Sequence, residues 1–123
     1  MKFPELDANI FKALHAGTVI PAHPLALKEN LTLDEKRQRL LTQYYISSGV
    51  GGLAVGVHTT QFEIRKPGIH LLEPVLKITA QEIESAALNR PFIKIAGVVG
   101  STSQAVREAE MAKHFGYDLA LLS

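Results

Sequence analysis

The sequence predicts an α/β fold built on parallel strands, and three observations carry the prediction. Strand-like and helix-like segments alternate along the chain, which calls for parallel pairing and right-handed crossovers. Gly51 to Val57 (GGLAVGV) is a continuous apolar run without polar alternation, the pattern of a strand buried on both faces. Gly17, Gly49 and Gly116 each stand ahead of a strand, as one repeated unit would place them. Two architectures fit: an open doubly wound sheet and a (β/α)8 TIM barrel, which takes about 250 residues. The barrel is preferred, because a four-stranded parallel sheet whose last strand is also the last thing in the chain makes a poor terminus. On that reading residues 1–123 are the N-terminal half of a single barrel domain, strands one to four, with no separate second domain.

The elements follow in order. Leu6 to Leu14 reads as a short amphipathic helix with Ile10, Phe11 and Leu14 on its apolar side, stopped by Gly17. Thr18 to Ala22 (TVIPA) is β-rich and ends at His23-Pro24, although Pro21 weakens it as a strand. Thr32 is the expected cap of the next helix, with Glu35 as capping-box partner. That helix is expected from Leu33 to about Ser47, with Leu40, Leu41, Tyr44 and Tyr45 inward and Gly49 at its stop. The apolar run then forms the second strand. A helix is expected from Ile69 to Leu88, with Leu72, Val75, Leu76, Ile83 and Leu88 among its apolar positions. Pro74 falls in its first turns, where proline costs least, and Asn89-Arg90-Pro91 breaks it. Phe92 to Val99 is a third strand, Ser101 to Ser103 are cap-forming, and Ala105 to His114 is a helix ended by Gly116. Leu119 to Ser123 begins a fourth strand.

Composition excludes several functions. With 46% hydrophobic residues a core can form. The net charge of +1 is spread over the chain, whereas a nucleic-acid surface needs clustered Lys and Arg. The densest basic spot, Lys36-Arg37-Gln38-Arg39, reads as a solvated helix face. The absence of cysteine excludes a disulfide framework, a Cys zinc site and a thiol nucleophile. Met1-Lys2-Phe3 leads straight into Pro4, Glu5 and Asp7, which is not a secretory signal, and no apolar run is long enough for a bilayer. A soluble cytoplasmic protein without nucleic-acid or membrane partners is expected.

Both architectures place the ligand site at the carboxyl ends of the strands. There the sequence supplies His23-Pro24 after strand one, and His58, Thr59, Thr60 and Gln61 after strand two. Gly97, Gly100, Ser101, Thr102 and Ser103 follow strand three. The opposite ends carry Gly49, Arg90 and Tyr117, with less hydrogen-bonding capacity. Two threonines just past a buried strand offer hydroxyls and free backbone N–H groups, which suit a small anion, above all a carboxylate. The same threonines could simply cap the loop, and both readings stand. His23 and His58 invite a metal, but no HxH or HExxH spacing is present, so no metal and no cofactor is expected. His15 and His114 sit at helix C-terminal ends, where they compensate the dipole, and His70 reads as a surface residue. Gly97 to Ser103 lacks the P-loop lysine and the GxGxxG spacing and reads as a plain strand-to-helix turn. Lys94 alternates with Ile93 and Ile95, which places it on a sheet face or snorkelling.

These residues resemble, over nearly the full chain, the N-terminal half of the dihydrodipicolinate synthase / N-acetylneuraminate lyase family. Gly17 to Pro24 looks like that family's opening strand, which usually ends in Thr-Pro. Leu33-Asp34 through Gly49 looks like its first barrel helix, and Gly52 to Val55 leads into the place of its GTTGE motif. Phe92 to Gly97 with Ser101 to Ala105 looks like its third strand and turn, and Gly116 to Ala120 like its GAD-type entry to strand four. In the ungapped register, which keeps the spacing from Gly49 onward, Thr59 matches the threonine that binds the pyruvate carboxylate. His58 then matches the proton-relay threonine, Thr60 replaces a glycine and Gln61 replaces the glutamate. A one-residue shift would match Thr59-Thr60 to both threonines.

The resemblance implies a (β/α)8 barrel that uses or releases pyruvate, or another 2-oxo acid, through a lysine Schiff base. It implies a lyase or aldolase without cofactor, and a homo-oligomer is expected. The implied substrate-binding residues are Thr59, Thr60 and His23, with His58 in proton relay. The Schiff-base lysine and relay tyrosines are expected beyond Ser123, so these 123 residues alone are expected to be inactive. The histidines in place of threonines point to a divergent aldolase or hydratase-lyase rather than to dihydrodipicolinate synthase activity proper. Two alternatives are a non-catalytic barrel used as a binding or assembly module, and a metal-dependent aldolase using His23 and His58.

Overall fold

The computed structural model describes residues 5–123. The first helix, α1 (Ala8–Ala16), starts two residues later than the sequence suggested, because Asp7 caps it. The Asp7 carboxylate accepts from the N–H groups of Asn9 at 2.9 Å and Ile10 at 3.2 Å. Of its apolar side Ile10 is buried, whereas Phe11 is exposed and stacks on His15.

The sheet has three parallel strands, β1 (Gly52–Val55), β2 (Ile93–Val98) and β3 (Leu119–Leu122), side by side in chain order. The register pairs Val55 with Ala96 and Val98 with Leu122. The expected strand 18–22 is reduced to a single parallel bridge between Ala22 and Ala54. Its backbone still runs beside β1: Gly51 donates to the Val19 carbonyl (2.9 Å), Ala54 to that of Pro21 (3.0 Å), and His23 to that of Ala54 (2.8 Å). Pro21 has no N–H to donate, so the ladder is interrupted in the middle.

Two expectations for the next helix are corrected. Helix α2 (Glu35–Ser47) is capped by Asp34, whose carboxylate accepts from the Arg37 N–H at 3.0 Å. Thr32 instead bonds Asn30 Oδ1 through both its hydroxyl and its N–H. The inward face is Gln38, Thr42 and Ile46, at the i, i+4 spacing of one helix stripe, while Leu40 and Tyr44 are exposed and Leu41 and Tyr45 half-buried. The reason is local: this face meets the imidazole of His23, and a polar neighbour calls for polar partners.

Helix α3 (Leu72–Ser85) buries Leu72, Val75, Leu76, Ile78, Thr79 and Ile83, with Pro74 in its first turn as expected. It is shorter at both ends than 69–88, because His70 and Ala87 take positive φ just outside it. Helix α4 (Thr102–His114) begins at Ser101, whose hydroxyl accepts from the Gln104 N–H at 3.3 Å. Leu53, Val55, Val75 and Leu76, none more than 1% exposed, form the centre of the core between β1, β2 and α3. Truncating one of its leucines to alanine costs about 2–5 kcal/mol. No helix among the described residues is long and apolar enough to cross a membrane.

Candidate functional site

The carboxyl ends of β1 and β2 come closer than side chains would allow. A Cβ on Gly97 would stand 3.0 Å from the Val57 nitrogen and nearer still to the Gly56 carbonyl, so only glycine fits there. Beyond Val55 the chain turns at Gly56, φ +76°, and enters two 3-10 turns, His58–Thr60 and Phe62–Arg65. The GVHTTQFEIR stretch is therefore a compact corner rather than a loose loop.

Within this corner the two threonines part company. Thr60 is fully buried; its hydroxyl donates to the His23 carbonyl at 2.6 Å and accepts from the Gly56 N–H at 3.1 Å. It joins the end of the first extended segment to the end of β1, and that hydroxyl is spent within the chain. The residue expected to contact substrate thus has its hydroxyl engaged on both sides within the chain. Thr59 and His58 are exposed, with the His58 ring tilted against Phe62 at 5.6 Å.

His23, also expected at the substrate, is engaged elsewhere. Its side chain is fully buried and turned towards α2, away from the corner. Nε2 lies 2.9 Å from Thr42 Oγ1, and Tyr45 packs edge-on at 5.6 Å. The Thr42 hydroxyl also donates to the Gln38 carbonyl at 3.1 Å, and the Gln38 amide, oriented by its Oε1 accepting from the Ala26 N–H, brings its own Nε2 to 3.2 Å from the same ring nitrogen. The imidazole Nδ1 is buried without a partner. Burial lowers the imidazole to about 4, so the ring stays neutral. Only its backbone carbonyl joins the site. The two imidazoles of a metal-dependent reading are not brought together, and among the described residues no three His, Asp or Glu side chains form a metal-binding group.

One participant was not foreseen. Arg65 donates through Nη2 to the carbonyls of Gly56 (2.7 Å) and Gly97 (3.0 Å), the ends of β1 and β2. Its Nε donates to Glu108 Oε1 at 2.8 Å, and both side chains are only 7% exposed. Glu108 also accepts from the Val99 N–H at 3.2 Å and from Gln104 Nε2 at 2.9 Å. This buried pair clamps the corner to β2 and α4. Its only sequence trace is a carboxylate on the small-residue face of α4, between Ala105 and Ala112. The arrangement leaves Thr59, with His58 beside it, on a rigid exposed turn at the rim of a cavity of about 1070 Å³.

No protein-family model matches the chain, and no curated protein matches it. Solved structures do match. Dihydrodipicolinate synthase from Aquifex aeolicus superposes with a TM-score of 0.69 at 25% identity, over 85% of this chain and 33% of its own. N-acetylneuraminate lyase from Fusobacterium nucleatum gives 0.69 at 23%, over 85% and 35%. A prophage protein of the dihydrodipicolinic acid synthase family from Escherichia coli K12, solved in complex with pyruvate, gives 0.69 at 16%, over 84% and 33%. The chain spans about a third of the length of these structures. Over that third it shares the fold of the dihydrodipicolinate synthase and N-acetylneuraminate lyase proteins, the family its residues resemble.

Proposed function

We propose that the chain is the N-terminal half, strands one to four, of a single (β/α)8 barrel. The whole protein is then a Schiff-base lyase or aldolase acting on pyruvate or another 2-oxo acid. The observation that carries this reading is Thr59, exposed at the carboxyl end of β1 on a turn that Thr60 and Arg65 hold in place. The pyruvate complex of the Escherichia coli relative supports the substrate class.

In this reading the hydroxyl and N–H of Thr59 receive the 2-oxo acid carboxylate. The first N–H groups of a helical turn have no partner within it, so they are free to donate. His58 stands next to it as the proton-relay group. Thr60 acts by position, since its hydroxyl ties Thr59's turn to the neighbouring strand end. The nucleophile is a lysine beyond Ser123 with a pKa lowered by its surroundings. The whole protein is a homo-oligomer.

Borohydride reduction of the whole protein in the presence of pyruvate tests the reading. A covalent adduct on one lysine is expected. A folded protein that traps no adduct would overturn the Schiff-base mechanism and leave the barrel as a binding or assembly module.

A further inference from the structure

Four residues other than glycine have positive φ: Leu31 (+67°), Gln61 (+84°), His70 (+47°) and Ala87 (+47°). Side-chain-bearing residues rarely adopt this backbone, and such strain gathers at binding and catalytic sites. Leu31 and Gln61 line the same cavity of about 1070 Å³, between the segments 24–33 and 59–71. Gln61 combines φ +84° with ψ 118°, a conformation that suits glycine. Leu31 is strained and, at 72% exposure, leaves an apolar side chain in water. Glycine would relieve the strain at both positions and the exposure at Leu31, so the side chains themselves need a reason. That reason is what they face.

The cavity walls are mainly apolar, with Leu25, Leu27, Leu33, Ile69 and Leu71 beside Leu31. Thr59 stands on its rim, and among the described residues its only ionisable lining group is Glu63. No cation faces it. An anion entering would lose hydration, meet no counter-charge and be repelled by Glu63. An uncharged apolar group would bury surface against the leucines, with Asn30 and Thr32 available to a hydroxyl or carbonyl.

We infer that this cavity binds the substituent of the second, electrophilic substrate, and that this substituent is uncharged and apolar, aromatic or branched aliphatic. The inference rests on the reading of Thr59 as the carboxylate holder, which puts the partner carbonyl beside the cavity mouth.

The test uses the whole protein in two arms. In turnover with pyruvate, benzaldehyde and isobutyraldehyde are compared with succinic semialdehyde and glyceraldehyde 3-phosphate. The uncharged aldehydes are expected to have at least a tenfold higher kcat/KM, and a preference for either anionic aldehyde overturns the inference. In equilibrium binding, calorimetry with unreactive benzyl alcohol and benzoate reads the cavity without any Schiff base. Benzyl alcohol is expected to bind and benzoate not to. Leu31→Gly is expected to keep or raise Tm, because it relieves strain, and to weaken benzyl alcohol roughly tenfold through lost apolar contact. Binding that is absent, or unchanged in Leu31→Gly, overturns the inference. A protein that binds benzyl alcohol but traps no pyruvate adduct would keep the cavity and remove the Schiff-base reading.

Discussion

The two ends of the parallel sheet are built from the same device and spend it differently. At the amino ends Arg90 donates to the carbonyls of Val50 (2.7 Å) and Ile46 (3.0 Å), closing the end of α2 onto the sheet. At the carboxyl ends Arg65 donates to the carbonyls of Gly56 and Gly97 and adds a buried carboxylate, Glu108. The amino-end turns before Val19, β1 and β3 take their positive φ on Gly17, Gly49 and Gly116, with open space around each, and the turn before β2 takes it on Ala87. The carboxyl-end loops take it also on Leu31, Gln61 and His70. Near the amino ends polar groups are paired in ordinary ways: Tyr117 donates to the Leu76 carbonyl, and Asp118 accepts from the Lys94 N–H. At the carboxyl ends Arg65 Nη1 and His23 Nδ1 are buried without partners. Among the described residues the carboxyl end carries three of the four non-glycine positive φ angles and two of the three unpartnered buried polar atoms, the others being Ala87 and Thr79 Oγ1, and such strain gathers where binding and catalysis are found.

Substitutions can break this contrast. The largest effect is expected from Arg65→Leu, which strands the Glu108 carboxylate: about 3–5 kcal/mol of stability by urea unfolding. Arg90→Leu, which removes two bonds to neutral carbonyls and buries no unpaired charge, is expected to cost about 1–3 kcal/mol. Equal losses would erase the distinction between the two ends.

His23 gives the next effect, and it depends on pH. Its ordinary value of 6.5 is lowered to about 4 by burial, so below pH 6.5 the unfolded chain takes up a proton that the folded ring refuses. The contribution is complete above pH 6.5 and is lost as pH falls towards 4, on the order of 3 kcal/mol in all. A pH series of unfolding midpoints for the native chain and His23→Asn would show it: the native profile falls over this window and the variant's is flatter.

Gly97→Ala is expected to cost about 1–3 kcal/mol, because its Cβ meets backbone atoms of Gly56 and Val57 that cannot move aside. Gly49→Ala meets nothing within 4 Å and bears only the strain of φ +86°, about 1 kcal/mol. Thermal unfolding of the pair ranks the two ends again. The smallest effect is a gain: Gln61→Gly is expected to raise stability by up to about 1 kcal/mol by relieving strain.

Much of this architecture was legible in the sequence. The run Gly51 to Val57 announced β1, Ser101 announced the start of α4, and strand order followed from alternation. The placement of His58, Thr59 and Thr60 was legible too, because parallel topology sends them to the carboxyl end of a strand. What stayed hidden depends on three-dimensional neighbours. The inner face of α2 was misread because Leu40 and Tyr44 look like core residues until His23 is seen to occupy that side. Thr60 and Thr59 are chemically identical in sequence, and only the fold decides which hydroxyl meets the His23 carbonyl. Arg65 and Glu108 stand 43 positions apart, beyond any local pattern. The strain at Gln61 lies in a dihedral angle that its letter does not reveal.

The account turns on Thr59 as the group that holds a 2-oxo acid carboxylate. The most direct measurement is the pyruvate concentration dependence of borohydride trapping in the whole protein, native and Thr59→Val. The account predicts an adduct whose half-saturating pyruvate concentration rises about 10- to 100-fold in the variant, the loss of a hydrogen bond to a charged group. Adduct formation at the same pyruvate concentration in both proteins, or in neither, would contradict it.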